Sequence, residues 1–306
     1  MRRLALVIAS LCLMALPRVS TDLQAALMTR TVAAIEQQPT FTVKRESVRI
    51  DVLVTDRGRP VRGLTAKDFE VLDAGVPQQV ELVSFEELPI SVVLALDASA
   101  SISPEQRRDL RDGGGAVLEN LRTQDQAALL TFANAVTLLE RLTPDVAQVR
   151  RGLDAIGTND AADEPSSGGT ALIDACYTAM TLADADAGRT LLIAFTDGID
   201  TASWLTAERV LPAARRSNVV AYAVSTADLP GGSFLERLSD ATGGEAIEIA
   251  STAELRTTFL RVIAEFRQRY LVSYSPAGVT GESWHPLVVR VKGRRVDIKT
   301  RAGYFR

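Results

Sequence analysis

Hydrophobic and polar positions change rhythm three times along this chain. Residues 48–54 read Val-Arg-Ile-Asp-Val-Leu-Val, an alternation of period two that predicts a strand with one buried face. Asp56-Arg-Gly-Arg-Pro60 is a turn signal, and 69–72 and 80–83 are short strands separated by the Ala74-Gly-Val-Pro77 turn. Residues 43–89 therefore predict a small antiparallel β unit. At residue 90 the alternation stops. Residues 91–96, 127–132, 190–195 and 219–224 are continuous or nearly continuous apolar runs, as strands covered on both faces require. Helices are predicted over 104–121, 145–156, 171–183, 206–217, 234–241 and 252–266, with Pro104 suited to a first helical position. Residues 136–142 pair with 127–132 or lie beside it, and 245–249 is a further short strand. Strands and helices alternating at these lengths predict a doubly wound, Rossmann-like, mostly parallel sheet. From residue 270 the period of two returns. Residues 270–275, 286–292 and 295–301 predict antiparallel strands joined by tight turns, one of them Gly293-Arg294.

The chain thus divides into an α/β centre, residues 90–267, flanked by β-sandwich-like segments at 43–89 and 268–306. Their positions suggest one discontinuous module that carries the centre as an insert. Ahead of them, Arg2 and Arg3 precede an apolar run over 4–16 that is too short to span a bilayer comfortably. Residues 1–25 read as a signal peptide, with cleavage at Ala15 or near Ala25, and an uncleaved anchor is the alternative. Leu11 before Cys12 argues against lipidation. Residues 26–42 form a linker. This organisation predicts a secreted or periplasmic protein with no transmembrane segment in the mature chain.

Composition narrows the function. The net charge is −4, and no stretch combines basic residues with stacking aromatics, which argues against nucleic-acid binding. The basic residues after Arg261 alternate with apolar ones, as a solvated strand face would. Beyond the leader Cys176 is the one cysteine, so no intramolecular disulfide forms. Cys176 shares a helix face with Leu172 and Met180, which predicts a buried, inert thiol. His285 is the sole histidine, and no Gly-x-Ser-x-Gly elbow exists. The chain is predicted not to be an enzyme.

The candidate chemistry lies in five dispersed oxygen donors. Asp97, Ser99 and Ser101 follow the first central strand, Thr170 closes Gly168-Gly-Thr170, and Asp197 follows the apolar run ending at Phe195. Two carboxylates and three hydroxyls are hard donors that suit Mg²⁺, with Mn²⁺ or Ca²⁺ as alternatives. In an open α/β sheet, ligands gather beyond the carboxyl ends of the strands, where Asp97 and Asp197 both stand. Taken singly each residue has a plainer reading: Asp97 and Ser99 as caps of the helix at 104, Thr170 as an N-cap, Asp197-Gly198 as a turn.

Asp-x-Ser-x-Ser, a later Thr after glycines, and Thr-Asp-Gly after a strand together resemble the metal-ion-dependent adhesion site of von Willebrand factor type A domains. The likeness spans about residues 90–267. It implies that Ser99, Ser101 and Thr170 approach the ion, with Asp97 and Asp197 binding directly or through water. The flanking segments resemble bacterial secreted proteins related to this domain, through residues 55–69, 270–276 and Gly303-Tyr-Phe305. The resemblance also implies a C-terminal helix, here 252–266, that can shift between affinity states.

Two carboxylates cancel the charge of the ion, and three hydroxyls polarise without cancelling. A partner carboxylate that replaces one bound water adds a charge-assisted bond. The expectation is an extracytoplasmic adhesion or assembly module that binds an exposed Asp or Glu of a protein ligand. The alternative is a structural subunit of an envelope or secreted complex, in which the metal only stabilises loops. Asp160, Asp163 and Glu164 would tune the rim or form a solvated loop. Asp200 orients a ligand or caps the next segment, and Trp204 is a binding anchor or packs on the domain. No sequence feature sets the oligomeric state.

Overall fold

The computed structural model describes residues 47–85, 88–157, 168–182, 189–281 and 283–305. The expected leader at 1–25, the linker at 26–42, Cys12, and Asp160, Asp163 and Glu164 lie outside the described residues. One compact unit spans Arg45–Arg306. It opens with five strands: β1 (Val48–Asp56), β2 (Arg59–Pro60), β3 (Phe69–Asp73), β4 (Val76–Gln78) and β5 (Leu82–Phe85). Next come β6 (Ile90–Asp97), α1 (Pro104–Glu119), β7 (Gln126–Phe132), β8 (Val136–Thr143), α2 (Val146–Asp154) and α3 (Leu172–Thr181). The centre continues with β9 (Arg189–Thr196), α4 (Ala207–Arg216), β10 (Val219–Ser225), α5 (Phe234–Thr242), β11 (Glu245–Glu248) and α6 (Leu255–Arg267). Four strands close the chain: β12 (Tyr270–Tyr274), β13 (Trp284–Val291), β14 (Asp297–Lys299) and β15 (Gly303–Phe305).

The central sheet runs β11-β10-β9-β6-β7-β8. Five strands are parallel, and β8 lies antiparallel to β7 at the edge. Every residue of β6, β9 and β10 is buried, which is why their sequences read as continuous apolar runs. Alternate side chains feed two cores. Val92, Leu94, Leu191, Ile193 and Phe195 pack under α1, α2 and α6. Val93, Ala95, Leu192 and Ala194 face α3, α4 and α5. Each fully buried large aliphatic or aromatic side chain contributes about 1.5–3 kcal/mol, so these cores hold the fold without a disulfide.

Two local devices set helix positions. Ser103 caps α1 in a reciprocal box with Gln106, and Pro104 takes the first helical position. Inside α1, the run Gly113-Gly114-Gly115 weakens the helix intrinsically but lets neighbours approach. A Cβ at Gly113 would sit 3.3 Å from Leu255 and one at Gly114 would sit 3.0 Å from Leu153.

The flanking strands intermix across the ends of the chain. β12 uses both edges: Ile50 faces Val272 on one side and Val83 faces it on the other. β14 and β2 pair with β1, which completes a five-stranded sheet. A second sheet runs β15-β13-β3-β4. Ile50, Val52, Phe69, Val71, Tyr270, Val289 and Val291 fill the space shared by these two sheets. The expected succession of C-terminal strands joined to one another is therefore corrected: β12 and β13 belong to different sheets, and β12 takes its partners from the N-terminal segment. Both edges of β12 are already paired, with β1 and β5, so neither is free to accept β13.

Candidate metal centre

The strand order reverses between β6 and β9. The chain leaves β6 toward β7 on one side and reaches β9 on the other only after α3, which makes the carboxyl ends of these two strands the switch point of the sheet. Asp97 is the last residue of β6, and Asp197 directly follows β9. Asp97 is fully buried, Ser99 is buried, Asp197 is half-buried and Ser101 is exposed.

A chain of hydrogen bonds joins four of the five predicted donors. Ser99 N donates to Asp97 Oδ1 at 2.9 Å, which folds the segment after β6 back on its own carboxylate. The Ser99 and Ser101 hydroxyls lie 3.0 Å apart, and Ser101 Oγ donates to Asp197 Oδ1 at 2.8 Å. Thr196 Oγ1 donates to Asp97 Oδ2 at 2.6 Å and accepts from Gly198 N at 3.1 Å. Asp97 and Ser99 do not cap α1, because Ser103 does.

Thr170 reaches the same rim through its backbone. Its N–H donates to Thr201 Oγ1 at 2.9 Å, and its carbonyl accepts from the N–H groups of Thr201 and Ala202. Gly169 N donates to Asn134 Oδ1 at 2.8 Å. The loop after Asp197 therefore carries Thr170, and no direct bond joins Thr170 to the other four residues. Among the described residues the Thr170 hydroxyl makes no hydrogen bond. Thr170 is not the cap of α3 either: Ala171 holds that position without a side-chain bond.

Electrostatically the site is under strain. Burial raises the pKa of the Asp97 carboxyl above the ordinary carboxylate value, and hydrogen bonds from Ser99 and Thr196 act against that shift. The neighbouring charge of Asp197 pushes it up further. Among the described residues no Lys or Arg forms an ion pair with either acid. Nor, among the described residues, does any group of three or more His, Cys, Asp and Glu side chains stand placed to hold a metal. Two carboxylates, neither ion-paired among the described residues, with the hydroxyls of Ser99, Ser101 and Thr196 around them at a sheet switch point, fit a hard divalent cation.

The neighbouring residues sort themselves by contact. Asp200 Oδ1 accepts from Ile173 N at 3.1 Å and from Ser203 Oγ, so it caps the first turn of α3 from across the loop. Asp174 returns the favour, accepting from Trp204 N and Leu205 N at 2.9 Å each. Trp204 does not pack on the domain: it is 92% exposed. Thr196, Asn134 and Thr201 were missed in the sequence. Of these, only Thr196 carries a local signal, since it stands next to Asp197 in the Thr-Asp-Gly run. His285 lies buried between the two flanking sheets, against Asp73 Oδ1 and the Gly281 carbonyl. Cys176 is a buried free thiol, pushed up to about 12 by burial. No helix among the described residues is long and apolar enough to cross a membrane.

The family model described as von Willebrand factor type A domain matches residues 91–261, more than half of the chain. No curated protein matches. Among solved structures, proximal thread matrix protein 1 from the mussel byssus, with a zinc-occupied MIDAS motif, is 18% identical at a TM-score of 0.52. That match covers 63% of this chain and 49% of the mussel protein, and at this identity it speaks for the fold alone. An aerotolerance-related membrane protein from Bacteroides fragilis is 15% identical over 57% of this chain and 99% of its own, at a TM-score of 0.45. The PilB minor pilin from Streptococcus sanguinis is 10% identical, with 59% and 62% covered and a TM-score of 0.47.

Proposed function

The chain belongs to the von Willebrand factor type A family, and from that premise we propose that it is an extracytoplasmic, non-catalytic binding module that engages an acidic side chain of a protein partner through Mg²⁺. Asp97, Ser99, Ser101, Thr170 and Asp197 would hold the ion. When bound, it would supply a positive centre whose remaining positions exchange water for a carboxylate. The observation that carries this reading is the pairing of Asp97 with Asp197: one buried, one half-buried, mutually repelling and, among the described residues, without a basic partner. Such an arrangement is costly in a fold that has no cation to place there. In the same reading the strands of 43–89 and 268–306 form one module carrying 90–267 as its insert, behind a leader at 1–25 and a linker at 26–42.

The alternative, a subunit in which the ion only stabilises loops, has less to support it. The loop after Asp197 is already tied by Thr201 to Thr170, by Asp200 to Ile173 and by Asp174 to Trp204 and Leu205. It has little left for an ion to order. Calorimetric titration of Mg²⁺, Mn²⁺, Ca²⁺ and Zn²⁺ into the native protein and into Asp97→Ala and Thr170→Ala tests the assignment. Saturable Mg²⁺ binding should weaken at least about tenfold in both variants while far-UV circular dichroism stays native. Unchanged affinity in both would falsify the site.

A further inference from the structure

Large apolar side chains are exposed at only five of the described positions: Leu82, Tyr177, Ile199, Trp204 and Val288. Three of these, Tyr177, Ile199 and Trp204, belong to α3 or to the loop after Asp197, the two segments that carry Thr170 and Asp197 to the rim. Exposed hydrophobics scattered singly need no explanation, whereas a group beside a functional rim does. Trp204 at 92% and Ile199 at 70% exposure are the extremes of the set.

The indole is not exposed because its loop is loose. The backbone of Trp204 is pinned to Asp174 Oδ2, and that of Leu205 to Asp174 Oδ1. Leu205 packs against the core under α3 and α4. A rigid base thus presents a large apolar ring to solvent. Beside it an open groove of about 360 Å³ runs between Asn134, Val136, Tyr177, Trp204 and Leu205. Asp174 is the one carboxylate lining the groove, and both of its oxygens are occupied by backbone N–H groups.

Groove and rim share a wall. Asn134 lines the groove and also accepts from Gly169 N, next to Thr170. Thr201 binds the Thr170 backbone, and Trp204 is three residues further on, a stretch of chain that reaches at most about 11 Å. An occupant that meets a cation at the rim with a carboxylate therefore meets the indole within a few residues of its own chain.

We propose that the partner segment is an acidic residue with a large aliphatic or aromatic neighbour within about three positions, the acid directed to the rim and the apolar side chain to the groove at Trp204. This rests on the metal-dependent reading above, and it adds what the ion alone cannot supply: discrimination among the many exposed acids of other proteins. Charge places the acid, and the apolar groove, with no free carboxylate of its own, selects its neighbour.

The test is a random peptide library displayed against the full-length protein in Mg²⁺, with release by chelator, run in parallel on the Trp204→Ala variant. The native protein should enrich Asp or Glu with a large apolar residue within three positions. The variant should keep the acid and lose the apolar preference, and it should bind the peptides selected on the native protein about tenfold or more weakly, with unchanged Mg²⁺ affinity by calorimetry. Enrichment of the acid without an apolar neighbour, or binding by the variant within about twofold of native, overturns the proposal and leaves the metal reading standing. No chelator-released enrichment on the native protein overturns both.

Discussion

Replacing Asp97 by asparagine should separate what the carboxylate costs the metal-free fold from what it does for a cation. Asp97 is fully buried, beside a second acid, and burial already raises its pKa. Asparagine has the same shape and no charge. Its amide oxygen can keep the Ser99 N–H, and its NH₂ can donate to Thr196 Oγ1. The displaced Thr196 hydroxyl then turns toward the Gly198 carbonyl, 3.3 Å away. The exchange loses the charge-assisted character of two hydrogen bonds and removes a buried, repelled charge. The expected balance in chelator ranges from neutral to a gain of about 1–2 kcal/mol. In Mg²⁺ the sign reverses. An ion held at one hundred times its dissociation constant stabilises the native fold by about 2.7 kcal/mol, or about 5–10 °C in a domain of this size. The variant, lacking one of the two charges proposed to hold the ion, should show almost none of that shift. Thermal unfolding of both proteins in chelator and in Mg²⁺ measures all four values. The reasoning fails if the variant loses more than about 2 kcal/mol in chelator, or if it keeps the full Mg²⁺ shift.

Further outcomes follow from packing. Gly115→Ala places a Cβ against the guanidinium of Arg150, a half-exposed side chain that can swing away, so helix propensity should win and urea denaturation should show a gain of up to about 1 kcal/mol. Gly114→Ala meets buried Leu153 at 3.0 Å, should be neutral to destabilising, and serves as the contrast. Asp73→Ala strips the acceptor shared by the Tyr274 and Tyr304 hydroxyls and faced by His285, and should cost about 3–5 kcal/mol in the same assay; a loss below about 1 kcal/mol would contradict the network. Cys176, with its thiol pushed up to about 12, should resist iodoacetamide at pH 8 in the native protein and react after unfolding, as mass spectrometry would report.

The legible parts of this molecule are those whose signals are local. Continuous apolar runs announced β6, β9 and β10, because a strand covered on both faces has no polar side to reveal its period. Ser103-Pro-Glu-Gln106 encodes a helix start in four residues. The grouping of Asp97, Ser99, Ser101 and Asp197 was readable because they stand at or just after the carboxyl ends of two strands, where an open sheet brings residues together. What stayed hidden is non-local. Nothing near Val272 says that its two edges face Ile50 and Val83, some two hundred residues earlier. Asp200 could cap or coordinate until the loop brought it to Ile173. The exposure of Trp204 depends on which way a pinned loop turns, and no periodicity encodes that.

Phe85 and Tyr270 are partners in one antiparallel ladder, so the chain departs from the flanking sheets and returns to them at adjacent points. Its departure and arrival could be bridged by a hairpin turn of a few residues. Everything in between is tied to those sheets at further points as well, by Arg189 to Asp51, by Arg301 to the Arg215 carbonyl and by Lys299 to Glu245. Force applied at its outer rim would load β5 and β12 side by side, with these ties sharing the load.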